Sequence, residues 1–239
     1  MAGKKAIFIF AVVGLVVAAG GWYWQATLQC RAIVVANAVH AAQDEIRDLS
    51  GVETGQLLYA IDPAVIRDRV RRHPWVEDAS IHRVPTGRLT IEVYERHPRM
   101  LVVGKNNHPT YYLDHEGYQM PVVHDSIHNV PLLRGWHVPY EPAEAVQDST
   151  IRTLLQALEQ TPAAEQLISE IIVQQEHVSA QTIASPDGRS IAVRIGRGNY
   201  EDKLTRLAAF WEQAVNRYDR QYRQIDLRFA DQVVVRETS

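Results

Sequence analysis

Residues 57–98 read LLYAIDPAVIRDRVRRHPWVEDASIHRVPTGRLTIEVYERHP, and their pattern sets the fold of the part of the chain around them. Asp62 is placed to cap a helix whose first position Pro63 fits, and Ile66 and Val70 supply its inner face. Pro74 ends that helix, because the residue before a proline is pushed out of helical geometry. Val76–Val84 and Arg88–Glu95 then read as two strands joined by Pro85-Thr86-Gly87, whose glycine permits positive φ. In the second strand Leu89, Ile91 and Val93 alternate with Thr90, Glu92 and Tyr94, so one face is apolar. Upstream, Ile33-Val34-Val35 is a short β-branched run. His40–Leu49 reads as a helix with Ala42, Ile46 and Leu49 on one side, broken by Gly51 and Gly55. The unit is βααββ.

Toward the amino end, Ala6 to Trp24 carry no charge and follow the basic pair Lys4-Lys5. As a helix this stretch reaches about 28 Å, the thickness of a bilayer's hydrocarbon core. Trp22, Tyr23 and Trp24 suit a headgroup interface, and Lys4 and Lys5 favour the cytoplasmic side. A cleaved secretory signal is the competing reading, since Ala18-Ala19-Gly20-Gly21 are small. The apolar run continues past them into the aromatic triplet, which favours a retained anchor. The expected organisation is a cytoplasmic tail (1–5), a transmembrane helix (6–24), the βααββ domain with a juxtamembrane linker (25–97) and a β-rich domain (98–239).

In that last domain, strands are expected at Met100–Val103, Thr110–Asp114, Val130–Leu133, Leu167–Gln174, Val178–Ala184, Ser190–Ile195, Gln224–Phe229 and Val233–Arg236. One helix lies within Glu141–Gln160, with Ile151, Leu154, Leu155 and Leu158 on one side. A second follows the expected capping pair Asn199 and Asp202, with Leu204, Leu207, Trp211, Val215 and Tyr218 as its stripe. The fold class is α+β: one membrane helix, the βααββ domain, then a β-rich domain with flanking helices.

A net charge of −3 over 239 residues argues against nucleic-acid binding. The ten histidines show no HExxH spacing, the single cysteine excludes an internal disulfide, and no GxSxG motif occurs. No catalytic, cofactor or metal site is expected. Arg67, Arg69, Arg71 and Arg72 form a basic cluster, either a solvated helix face or a contact surface for a partner or anionic lipid. Trp75, between a helix-ending proline and a strand, is expected to be a buried anchor.

Residues 57–98 closely resemble the POTRA segment of the FtsQ/DivIB cell-division proteins. The signposts are Gly55 before Leu57-Leu58, Asp62, Pro74-Trp75-Val76, Ala79, Arg83, Pro85, Leu89 and Glu95-Arg96-x-Pro98. The likeness continues through Tyr112-Leu113-Asp114 to Gly117, Val130-Pro131 to Gly135, and Ile225-Asp226-Leu227-Arg228-Phe229. Ala36-Asn37 departs from the glycine that the family usually shows after its first strand. The resemblance implies a non-enzymatic septal scaffold linking early and late division proteins. It implies a single-pass (type II) protein of the cell inner membrane, its bulk periplasmic, at the division septum. It implies FtsB/FtsL-like (DivIC-like) partners at the carboxyl domain and other septal membrane proteins at the POTRA unit. Two rival readings are a POTRA module of envelope assembly or secretion, whose chains continue into a long barrel, and an anchored cell-wall enzyme, for which no credible residue set is present.

The residues suggest how such contacts form. A strand near the chain's end, with no later strand to cover it, can accept a partner's strand through unpaired N–H and C=O groups. Phe229, at the DLR-aromatic position, with Val233, Val234 and Val235 are the candidates for this edge, although alternate positions must also serve the core. Arg67 and Arg71 are the candidates for POTRA contacts. Lys4, Lys5, Trp22 and Trp24 are the anchor residues.

Overall fold

The computed structural model describes residues 2–123, 128–217 and 220–238. The chain divides into two compact units, Met1–Glu95 and Arg96–Ser239. The first begins with helix α1 (Ala2–Thr27), so residues 2–5 are helical as well. Among the described residues α1 is the one helix long and apolar enough to cross a membrane, over Ile9–Thr27. The large side chains from Ile9 to Trp24 are exposed, which leaves their apolar surface unburied by the protein.

After α1 come β1 (Ala32–Ala36), α2 (Gln43–Ser50), a 3-10 turn (Leu58–Ala60), α3 (Pro63–Val70), β2 (Val76–Val84) and β3 (Arg88–Glu95). The sheet order is β1-β3-β2, with β1 parallel to β3 from Ala32↔Arg88 to Ala36↔Glu92 and β2 antiparallel to β3. Helix α3 packs on β2 and α2 on β1. Ile46, Leu58, Ile66 and Val70 are thereby buried, as are Trp75, Leu89, Ile91 and Val93. Asp62 caps α3 by accepting a bond from the Ala64 N–H at 2.9 Å, ahead of Pro63. Helix α2 starts three residues later than its periodicity suggests. The cause lies far away in sequence: Glu95 Oε1 accepts the N–H groups of Val39, His40 and Ala41 at 2.7–2.9 Å and holds that segment out of the helix.

The second unit is one mixed sheet built from β4 (Met100–Val103), β5 (Pro109–Leu113), β6 (Gln119–Pro121), β7 (Leu132–Arg134), β8 (Ile168–Gln174), β9 (His177–Thr182), β10 (Ala192–Gly196), β11 (Tyr222–Asp226) and β12 (Val234–Glu237). Their order is β12-β11-β10-β9-β8-β7-β4-β5-β6. The pairs β4/β7, β7/β8 and β10/β11 are parallel, and the other pairs are antiparallel. Helices α4 (Ser149–Gln160), α5 (Pro162–Glu165) and α6 (Tyr200–Phe210) supply the remaining core side chains, among them Ile151, Leu154, Leu155, Leu158, Leu204 and Leu207. Past Phe210 the helix widens into a π-turn, Trp211–Val215, and both of those terminal residues stay buried. Tyr218, assigned to the same stripe, lies outside the described residues.

Asn199 does not cap α6 through its side chain; it adopts a left-handed φ of 49° that turns the chain into the helix. Gly135, at φ 76°, allows a close approach, since a Cβ there would stand 2.3 Å from the Val173 carbonyl oxygen. At the head of the unit Arg96 and Asp114 form a buried ion pair at 2.6 Å, with the guanidinium 3.8 Å from the Tyr118 ring centroid. Asp114 also accepts the Glu116 and Tyr118 N–H groups at 3.0 and 2.7 Å, so its lone pairs are well used.

Candidate protein-binding edge

Strand β12 is an end strand of the nine, and among the described residues it pairs with β11 alone. Its register is Asp226↔Val234, Ile225↔Val235, Gln224↔Arg236 and Tyr222↔Glu237, with a bulge on the β11 side. The Thr238 N–H donates to the Gln221 carbonyl at 2.8 Å and so fixes the phase of the strand. Backbone groups alternate in direction along a strand, so those of Val234 and Arg236 face β11 while those of Val235 and Glu237 face outward. An open row of donors and acceptors results.

The side chains follow the other alternation. Val233 and Val235 are partly buried against the core, whereas Val234 is 41% exposed. Phe229 is placed differently from its expected strand position: β11 ends at Asp226, and Phe229 stands 49% exposed in the following turn. The strand ends early because Asp226 closes the chain on itself. Its carboxylate accepts the Arg228 N–H at 3.1 Å and the guanidinium at 2.8 and 2.6 Å. That guanidinium holds the Asp226 carboxyl below the usual carboxylate range against the opposing effect of burial.

Arg206, which sequence reading did not single out, fixes the turn between β11 and β12. From α6 its Nη1 donates to the carbonyls of Phe229 and Gln232, at 2.8 Å each, while Asp202 one helical turn earlier holds its Nη2 at 2.9 Å. The i, i+4 pair was visible in the sequence, but its target was not. Exposed cations surround the ribbon at Arg223, Arg228 and Arg236, and Arg220 pairs with Glu237 at 3.2 Å.

In the first unit, Arg67 forms a two-point pair with Asp78, its Nε at 2.6 Å from Oδ1. The pairing raises the Arg67 pKa and lowers that of Asp78. Arg71 Nε reaches the Glu77 carbonyl at 3.2 Å. Both arginines thus tie α3 to β2 and remain exposed at the surface. Trp75 is 1% exposed and stacks on His40 at a centroid distance of 4.4 Å. Trp22 and Trp24 are exposed in the last turns of α1, and the side chains of Lys4 and Lys5 lie outside the described residues. Cys30 is buried, which pushes its thiol pKa up. Among the described residues no group of three or more His, Cys, Asp or Glu side chains is arranged to hold a metal ion.

Two family models together span nearly the whole chain: "POTRA domain, FtsQ-type" over residues 28–96 and "FtsQ/DivIB, C-terminal related" over residues 97–236. A cell division protein FtsQ of Rhodothermus marinus is 42% identical over 219 residues, 90% of this chain and 80% of the relative. Its counterpart in Salinibacter ruber is 38% identical over 234 residues, covering 94% and 90%. That of a Geobacter species is 27% identical over 220 residues, covering 88% and 76%.

Proposed function

The chain belongs to the FtsQ/DivIB family of cell division proteins, and from that premise we propose that it is a non-enzymatic scaffold of the septal machinery. In this reading α1 anchors it in the cell inner membrane, with Lys4 and Lys5 in the cytoplasm and both folded units on the far side. The open margin of β12 carries the reading. A partner strand, from an FtsB/FtsL-like (DivIC-like) protein, adds to β12 by bonding to the outward groups of Val235 and Glu237. Val234 and Phe229 supply exposed apolar contacts, and the arginines around the ribbon favour acidic residues on the partner. Arg67 and Arg71 offer a second, cationic surface to other septal membrane proteins.

Glu237→Pro is the sharpest probe. Its N–H faces away from β11, so proline removes an edge donor and spares the ladder, and Glu237→Ala, which loses the exposed Arg220 ion pair but keeps the N–H, is its control. The proline variant should keep its thermal unfolding midpoint and bind the FtsB-like partner about tenfold more weakly in pull-down from detergent. Val234→Pro, whose N–H faces β11, should instead fray the strand itself. A stably folded Glu237→Pro chain with undiminished binding would falsify the edge.

A further inference from the structure

Almost no chain separates α1 from the first folded unit. The helix ends at Thr27, and Gln29 already bridges Leu57. The Leu58 N–H donates to the Leu28 carbonyl at 2.8 Å, and the Cys30 N–H to that of Gln56 at 2.7 Å. Counting three helical and two extended steps, Gln29 stands at most about 11 Å beyond Trp24. A headgroup layer is roughly 5–7 Å deep. The base of the unit therefore lies within reach of the headgroups for any long side chain it carries.

Two such side chains are there. The Arg31 N–H donates to the Gly87 carbonyl at 2.7 Å, and Arg88 is the register partner of Ala32, so Arg31 and Arg88 share the end of the sheet that α1 enters. The Pro85–Gly87 turn is level with Gln29: a Cβ on Gly87, at φ 90°, would stand 2.9 Å from the Gln29 carbonyl oxygen and 3.0 Å from Arg31 Cγ. Both arginines are exposed, and neither meets a carboxylate or carbonyl among the described residues. Arg47, Arg67, Arg69, Arg71 and Arg83 in the same unit instead bond to Asp44, Asp78, Ser50, Glu77, and Tyr59 with Ile61. Leu57, 46% exposed, adds an apolar contact beside Gln29.

We propose that Arg31 and Arg88, with Leu57 beside them, dock the first unit onto the anionic phospholipid headgroups of the membrane that α1 spans. This rests on α1 being a membrane anchor. The occupant follows from position and charge: the headgroups are the surface nearest the two cations, and anionic lipids attract basic residues held within a Debye length. The basic cluster of α3 is less suited to this role, since its Arg67, Arg69 and Arg71 already bond within the unit and Arg72 precedes the start of β2, at the end of the sheet opposite Arg88.

The test uses the full chain in nanodiscs of phosphatidylcholine, alone or with about a third phosphatidylglycerol. A fluorophore on Thr86→Cys, in the exposed turn, reports proximity to nitroxide-bearing headgroups; Cys30 is buried and stays unlabelled. Adding phosphatidylglycerol should raise the ratio of docked to undocked chains roughly fivefold per arginine, and high salt should reverse it. Arg31→Glu/Arg88→Glu should return quenching to the phosphatidylcholine level, whereas Arg31→Lys/Arg88→Lys should preserve it. Quenching that ignores lipid composition, or survives charge reversal, overturns the docking alone. A chain that does not stay with the discs overturns the anchor and the docking together.

Discussion

Glu95 shows how one side chain organises a turn that its own neighbourhood in sequence does not reveal. Its carboxylate takes three backbone N–H groups from residues 39–41 and the His40 ring at 2.7 Å. Burial pushes its pKa up, but these hydrogen bonds outweigh burial and leave it below the usual glutamate value. A carboxyl whose folded pKa is depressed contributes stability that is complete above its unfolded value, about 4.3, and is lost as pH falls through the folded one. Glu95→Gln should therefore cost about 1–3 kcal/mol near neutral pH. The gap between variant and wild type in urea midpoint should close as pH drops below about 4. A gap independent of pH would show that the charge is not what holds the loop. Asn37 explains the family departure at the first turn. Its φ is 61°, a conformation glycine adopts freely and asparagine tolerates, and its amide reaches Glu92 at 3.0 Å. The sequence showed only the departure from glycine; the left-handed conformation of Asn37 is seen in the fold. The Glu95 network was not legible, because its partners lie more than fifty residues away.

The elements most readable in advance are those whose alternation runs long enough to fix a face. Strands β2 and β3 begin and end where the pattern of Val76–Val84 and Arg88–Glu95 places them. Strand β6 has three residues and α5 a single turn, too short for any period to emerge. Strand β11 looked longer than it is, since Leu227 and Phe229 continue an apolar alternation that the Asp226–Arg228 clamp interrupts. Strand β12, the candidate edge, was thus legible as a strand, while its phase and its mooring to α6 needed three dimensions. That mooring is testable. Arg206→Ala removes two charge-assisted bonds to the β11–β12 turn, so β12 amides should exchange with solvent about tenfold faster while those of β8 and β9 keep their protection. Uniform acceleration across the sheet would instead place Arg206 in the global stability of the unit.

At the level of the whole chain, the order of apolar helix, βααββ unit and β-rich unit was readable because each segment has its own pattern and Pro98 marks the passage into the last. In cells, a fluorescent fusion of the full chain should concentrate at the division site, and the same fusion bearing Glu237→Pro should spread evenly around the envelope. Even staining by the unsubstituted fusion would remove the scaffold reading. The short passage from Thr27 to Gln29 has a kinetic consequence as well. On the proposed reading of α1 as an anchor, the first unit is held at one height above the bilayer and meets other single-span proteins by lateral diffusion alone, without exploring the depth of the compartment. The tether would thereby act as a source of effective concentration for the contacts that the first unit makes.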